Sequence, residues 1–93
     1  MIEVDILIEK LIKRYVDKMT INDVYNFALK ENIKLNDDEA NIIYSYIKND
    51  WKKIVFDDYK PILEKAKPKL NNETYLKIEE LIIKFKNKYK YYL

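Results

Sequence analysis

Apolar residues recur at spacings of three and four along nearly the whole chain, and this pattern is the strongest constraint on its fold. Such spacing places apolar side chains along one face of an α-helix. No segment alternates apolar and polar residues over more than a few positions, so strands are not required. The pattern predicts an all-α protein, a compact bundle of about five helices.

The first two predicted helices are separated by a clear start signal. The first helix is expected over residues 2–17, with an apolar stripe of Val4, Leu7, Ile8, Leu11, Ile12, Tyr15 and Val16. Thr20 begins the second helix, since Asp23 stands three residues later, as a capping box requires. Asn32 is a good left-handed stop in a chain without glycine. The inward side of the second helix is predicted to carry Val24, Phe27 and Ala28.

The same start signal recurs before the third predicted helix. Asn36 is expected to cap it and Glu39 to occupy the reciprocal position, with the helix running to about Lys48. Residues 33–35, just before this cap, read as an extended step whose two apolar side chains point the same way. The sequence therefore predicts a helix-extension-helix unit in the middle of the bundle.

The chain is least regular over residues 49–56, which we expect to form an apolar loop that plugs the core. Asp57 or Asp58 should start a fourth helix, with Pro61 in its first turn and Pro68 ending it. Another strong start signal, at residues 70–73, predicts a fifth helix that reaches nearly to the last residue.

Length and composition predict one cytoplasmic domain over residues 1–93. A chain of 93 residues is too short for two self-supporting cores. The absence of cysteine excludes a disulfide framework and favours a reducing compartment. Two acids in the first five residues do not fit a signal peptide. Apolar runs are far below the ~20 residues that cross a bilayer, so we expect no membrane association.

The residue types needed for most enzymes are missing. Without histidine or cysteine the chain lacks the usual general base and the strongest nucleophile. Without glycine it lacks a phosphate-binding loop. The one dense acidic cluster, Asp37-Asp38-Glu39, has oxygens that a hard cation could use, but its place at a helix start favours a role in complementing the helix dipole. We therefore expect no enzymatic activity, cofactor, metal or small-molecule substrate.

The C-terminal part of the chain is basic and rich in tyrosine. Residues 1–59 carry 9 basic and 12 acidic side chains, whereas residues 60–93 carry 9 basic and 4 acidic ones. Positive charge beside aromatic rings is typical of proteins that bind single-stranded nucleic acid. AT-rich codons also account for many of these lysines and tyrosines. The candidate residues for weak, salt-sensitive nucleic-acid binding are Lys84, Lys86, Lys88, Lys90 and Tyr91.

A second group of aromatic residues favours binding to another protein. Tyrosine and tryptophan are enriched among the residues that dominate protein interfaces. The candidates are Tyr44, Tyr46, Trp51 and Tyr59, although Trp51 could instead cap the core. Our first prediction is a non-enzymatic protein-interaction or adaptor module with an unidentified protein partner or self-association. The alternative is weak nucleic-acid binding by the basic, tyrosine-rich C-terminal helix.

Two resemblances accompany these patterns. Residues 19–28, 33–35, 39–43 and 54–56 carry a resemblance to the YqfT-like family of short uncharacterised proteins from low-GC Gram-positive bacteria. It extends over residues 7–86 and implies a small helical fold, but transfers no activity. The helix-extension-helix layout also looks like the SAP and LEM type of small DNA- or protein-binding motif. Likeness of fold does not settle function.

Overall fold

Five α-helices and one short 3-10 turn follow one another in the computed structural model, which describes residues 2–88 and, from residue 7 onward, their side chains. The helices are α1 (Ile2–Lys18), α2 (Ile21–Lys30), α3 (Asp37–Phe56), α4 (Lys60–Ala66) and α5 (Asn72–Lys88). The 3-10 turn covers Lys67–Lys69. The part of the chain described here contains no strand, so the predicted all-α fold is confirmed.

The longest helix, α3, is the axis on which α1 packs. Lys52, near the end of α3, pairs with Glu9 in α1 at 3.1 Å. Tyr44, farther back along α3, donates its hydroxyl to the Met19 carbonyl just after α1, at 3.4 Å. Since early residues of α1 meet late residues of α3, the two helices run antiparallel.

Helix α5 also lies along α3 and runs in the opposite direction to α1. The Asn71 N–H, at the start of α5, donates to Glu39 in the first turn of α3 at 2.9 Å. Lys86, near the end of α5, donates to the Asp57 carbonyl just after α3 at 2.6 Å. Start meets start and end meets end, so α5 runs parallel to α3.

The connection from α2 to α3 is the predicted extended step. Asn32 adopts the left-handed conformation with φ 60°, which few residues besides glycine reach easily. The Ile33 N–H then donates to the Ala28 carbonyl at 2.8 Å, the long bond of a Schellman ending. Ile33 is buried and Leu35 half-buried, whereas Lys34 between them is exposed, so the two apolar side chains point the same way as predicted.

Both predicted capping boxes are present. Thr20 accepts the Asp23 N–H while the Asp23 carboxylate accepts the Thr20 N–H. Asn36 and Glu39 make the same reciprocal pair at the start of α3. The two boxes therefore set the starts of α2 and α3.

The expected loop at residues 49–56 is wrong, because α3 continues to Phe56. No proline or glycine interrupts this stretch. Tyr44, Lys48, Trp51 and Val55 keep the spacing of three and four across it, and Trp51 and Val55 are buried. Burial of this face outweighs the modest helix propensity of the asparagine and aspartate between.

The last two helices begin close to the predicted positions. The Asp58 carboxylate accepts the Lys60 N–H at 3.0 Å, which leads into α4 with Pro61 in its first turn. Pro68 lies in the 3-10 turn that follows α4. Asn71 accepts the Thr74 N–H at 2.8 Å and so caps α5.

The core contains side chains from every helix, although α5 contributes only the buried Thr74 among the described residues. Its buried apolar residues are Val16, Met19, Val24, Ala28, Ile33, Ala40, Trp51, Val55, Leu63, Ala66 and Leu70. The inward placement predicted for Phe27 is wrong, since that side chain is 53% exposed. Val24 and Ala28 already fill the inward face of the short α2. The radius of gyration, 13.2 Å, is that of a compact domain of this size.

Candidate interaction surface

Trp51, the centre of the predicted aromatic site, lies in the core and is 8% exposed. Its ring meets Phe56 edge to face, with 6.3 Å between the ring centroids. Tyr44, two turns earlier on α3, is half-buried, and Lys48 lies 5.5 Å from the centre of its ring. Trp51 is thus part of the core, and Tyr44 joins α3 to the segment after α1 through its hydrogen bond to the Met19 carbonyl.

The other two predicted aromatic residues lie elsewhere. Tyr46 lines a separate shallow groove on α3 together with Asn49 and Lys69. Tyr59, between α3 and α4, lies beneath Lys86, whose ammonium is 5.5 Å from the ring centre. Tyr46 and Tyr59 thus lie in surroundings that differ from those of the tryptophan in the core.

The lysines predicted to bind nucleic acid on α5 do not share one face of the helix. Successive residues of a helix are rotated by about 100°, so residues two apart point in nearly opposite directions. Lys84 is exposed, whereas Lys86 is half-buried and donates to the Asp57 carbonyl. Lys88 ends α5, and the remaining candidates, Lys90 and Tyr91, lie outside the described residues.

The acidic cluster at residues 37–39 is engaged in contacts within the chain. Asp37 accepts a hydrogen bond from the Tyr25 hydroxyl, and that bond raises the pKa of Tyr25. Glu39 is buried and accepts the Asn36 and Asn71 N–H groups. Among residues 2–88 we find no group of acidic side chains arranged to hold a metal ion.

A different surface stands out on α1. Leu7, Leu11 and Tyr15 are 61%, 59% and 66% exposed. Their spacing of four places them side by side along the helix, and we call them the apolar row. Isolated exposed apolar residues are ordinary, but three in register on one helix form a continuous patch.

A row of positive charge borders the apolar row. Lys10, Arg14 and Lys18 are exposed, again four residues apart, and form what we call the basic row. None of the three has an ion pair among the described residues. Of the acids of the same helix whose side chains are described, Glu9 pairs with Lys52, and Asp17 accepts a hydrogen bond from Lys13 at 2.8 Å, which lowers the pKa of Asp17.

The two rows open onto a shallow groove where α1 meets the start of α2. The groove has a volume of about 330 Å³ and is lined by Leu11, Arg14, Tyr15, Lys18, Met19 and Asp23. Phe27 follows Asp23 by one turn on α2 and is also exposed. The lining of the groove therefore combines three apolar or aromatic side chains with two basic ones and one acidic one.

The sequence contained a signal for this surface in the width of the predicted α1 stripe. Leu7 and Val16 are nine positions apart, which places them about 180° apart on the helix. An apolar arc of half the circumference is wider than the ~100° that packing against a core needs. Part of the stripe, Ile8, Ile12 and Val16, packs inward, and the excess forms the apolar row.

Comparisons of the chain with protein-family models, with curated proteins and with solved structures gave no match. The resemblance to the YqfT-like family therefore stays a prediction. No helix within residues 2–88 is both long enough and apolar enough to cross a bilayer.

Proposed function

We propose that this domain is a protein-interaction module and that its partner docks on the apolar row of α1. The observation that carries the proposal is the exposure of Leu7, Leu11 and Tyr15 in register on one helix. Water contact with such a patch is unfavourable, and a partner that covers it gains roughly 25 cal/mol for each Å² of apolar surface removed from water. Tyrosine in particular is enriched at the centres of interfaces.

The helix that carries the row is fixed to the rest of the domain, which supports the proposal. Lys48 donates its ammonium to the Val16 and Asp17 carbonyls at the end of α1. Glu9 is paired with Lys52 in the first half of the helix. Because α1 is held at both points, it needs no further ordering when a partner binds to its outer face. Less conformational entropy is therefore lost on binding.

The groove beside the row supplies shape as well as apolar area. A partner helix laid along α1 could insert side chains between Leu11 and Tyr15, down to the buried Met19. Grooves of this kind receive amphipathic helices through side chains spaced at three and four. This site differs from the aromatic residues chosen from the sequence, because Trp51 is buried in the core.

A photo-crosslinking experiment in the producing cells tests this function. A photoreactive amino acid at position 11 should give a discrete protein adduct, while the same group at Glu64, exposed on α4, should not. Leu7→Ser with Tyr15→Ser should abolish the adduct without unfolding the domain, since both side chains are exposed. Equal adducts at positions 11 and 64, or none at 11, would contradict the proposal.

The second candidate function is weak nucleic-acid binding by the C-terminal helix, favoured by the excess of lysine after residue 60. The test is the salt dependence of single-stranded oligonucleotide binding by Lys84→Ala, Lys86→Ala, Lys88→Ala and Lys90→Ala combined. Lost phosphate contacts should weaken binding and make its salt dependence shallower. Lys86→Ala alone is the control for stability, because Lys86 also holds the Asp57 carbonyl.

A further inference from the structure

We infer that the partner is an amphipathic helix with acidic residues along one flank, lying along α1 with its acids on the basic row. The inference rests on the proposed docking function of the apolar row and adds the chemistry of the partner. Its basis is the adjacency of two parallel rows of different character on a single helix, one apolar and one positively charged.

The spacing of the basic row fits a helical partner. Lys10, Arg14 and Lys18 follow one another at about 6 Å along the helix axis, because each residue advances it by about 1.5 Å. A partner helix with glutamates at the same spacing meets the three cations in register while its apolar face covers Leu7 and Leu11. Opposite charges at the flanks of paired helices set both partner choice and orientation.

The cations of this row are available for such a contact. No described residue forms an ion pair with Lys10, Arg14 or Lys18. The neighbouring acid Asp17 is bonded to Lys13, and Asp23 at the end of the groove accepts the Thr20 N–H. These two described acids are thus committed to local partners.

A second copy of the chain fits this surface poorly. Two α1 helices packed antiparallel through the apolar row about a two-fold axis bring the same flank of each helix together. Lys10 and Arg14 of one copy would meet Arg14 and Lys10 of the other. In a parallel two-fold pair, the basic flank would instead face the flank with Ile12 and Val16, which already packs into the domain. Repulsion between the like charges of the antiparallel pair opposes pairing of two copies, so the charge pattern favours a different chain as the partner.

A lipid surface fits poorly as well. Helices that lie on membranes carry a broad polar face and insert an apolar face that stands free on both sides. Here only one flank of the apolar row is basic, because the other flank, with Ile12 and Val16, packs into the domain. The acidic Asp23 also lines the groove.

The test uses a displayed library of helical peptides of about 18 residues, long enough to span the whole of α1. All members share an apolar face with residues at spacings of three and four, and their flank positions vary among glutamate, glutamine and lysine. We expect selection against the protein to enrich glutamate on one flank. Lys10→Glu with Arg14→Glu should weaken the selected peptides by about ten-fold and favour lysine-flanked ones instead.

Control variants separate the inference from the function on which it rests. Lys34→Glu with Lys65→Glu changes the net charge equally at exposed positions away from α1 and should leave peptide affinity unchanged. Leu7→Ser with Leu11→Ser should abolish binding. Peptides that need Leu11 but show no acidic flank overturn the inference alone and leave the docking function standing.

Two further results would overturn the inference. One is a selection that yields no peptide whose binding is lost in the variant with Leu7→Ser and Leu11→Ser. The crosslink at position 11 would then decide separately whether a protein docks on the apolar row. The other is binding to phosphatidylglycerol vesicles that depends on the apolar row, which would assign the surface to a lipid.

Discussion

Two capping boxes with the same hydrogen-bond pattern start α2 and α3, but they differ in their exposure to solvent and in their contacts with other helices. In the first, Asp23 accepts the Thr20 N–H at 2.8 Å; in the second, Glu39 accepts the Asn36 N–H at 3.3 Å. The reciprocal bonds from backbone to cap are equally present. From the sequence alone the two look interchangeable.

Their surroundings separate them. Thr20 and Asp23 are exposed, so water can replace either hydrogen bond. Glu39 is only 3% exposed, and its second oxygen accepts the Asn71 N–H at the start of α5. The same local motif thus starts α2 in contact with solvent, whereas at the start of α3 it ties together two helices far apart in sequence.

The largest expected effect is at Glu39. We predict that Glu39→Ala lowers the free energy of unfolding by about 3 kcal/mol, since it leaves two N–H groups without an acceptor in a partly buried place. Glu39→Gln, which keeps one oxygen acceptor at the same size, should cost about half as much. Urea unfolding followed by circular dichroism measures both.

The adjacent Asp38 provides the control for Glu39. Asp38 is exposed in the same first turn of α3, and Asp38→Ala removes only a favourable interaction with the helix dipole, worth below ~1 kcal/mol. Equal losses of stability for Asp38→Ala and Glu39→Ala would show that the link to α5 contributes nothing.

The next effect concerns the cap of the exposed box. Thr20→Ala should lower the free energy of unfolding by about 1 kcal/mol, because the Asp23 N–H loses its acceptor. Thr20→Ser keeps the hydroxyl and should unfold close to the unsubstituted protein. An unchanged unfolding curve for Thr20→Ala would mean that this box does not stabilise α2.

A smaller effect is expected at the reciprocal position of that box. Asp23→Ala should cost about 0.5 kcal/mol, because water reaches the exposed Thr20 N–H once the carboxylate is gone. The difference between this value and the loss at Glu39 measures what burial adds to one motif. Similar losses at Asp23 and Glu39 would remove the distinction between the two boxes.

The boxes also show which parts of the fold the sequence could predict. A cap depends on residues three apart, so Thr20, Asn36 and the start signal at residues 70–73 marked their helix starts correctly. The end of α3 depends on distant packing instead. Asn49 and Asp50 suggested a stop, but burial of Trp51 and Val55 against other helices extends the helix to Phe56.

The candidate site was harder to predict for the same reason. An aromatic residue is equally suited to a core and to an interface, and only the packing of α3 places Trp51 in the core. The exposed row on α1 is one part of the single apolar stripe that the sequence predicted. The excess width of that stripe was visible, but which edge of the stripe stays exposed depends on how α1 lies on α3.

The smallest expected effect tests a link between the two boxes themselves. The Tyr25 hydroxyl in α2 donates to Asp37, next to the Asn36 cap of α3, and this bond raises the pKa of Tyr25 above its usual value of 10.0. A raised pKa in the folded state means that the folded protein holds the proton more tightly. The contribution of this hydrogen bond to the free energy of unfolding is therefore complete below pH 10 and is lost as pH rises through the folded pKa of Tyr25.

Tyr25→Phe lacks this hydrogen bond at every pH. The urea midpoints of the unsubstituted protein and of Tyr25→Phe should therefore differ near pH 8 and converge as pH rises above about 10. A constant difference across that range would show that Tyr25 contributes by packing alone and that the bond to Asp37 does not couple α2 to α3.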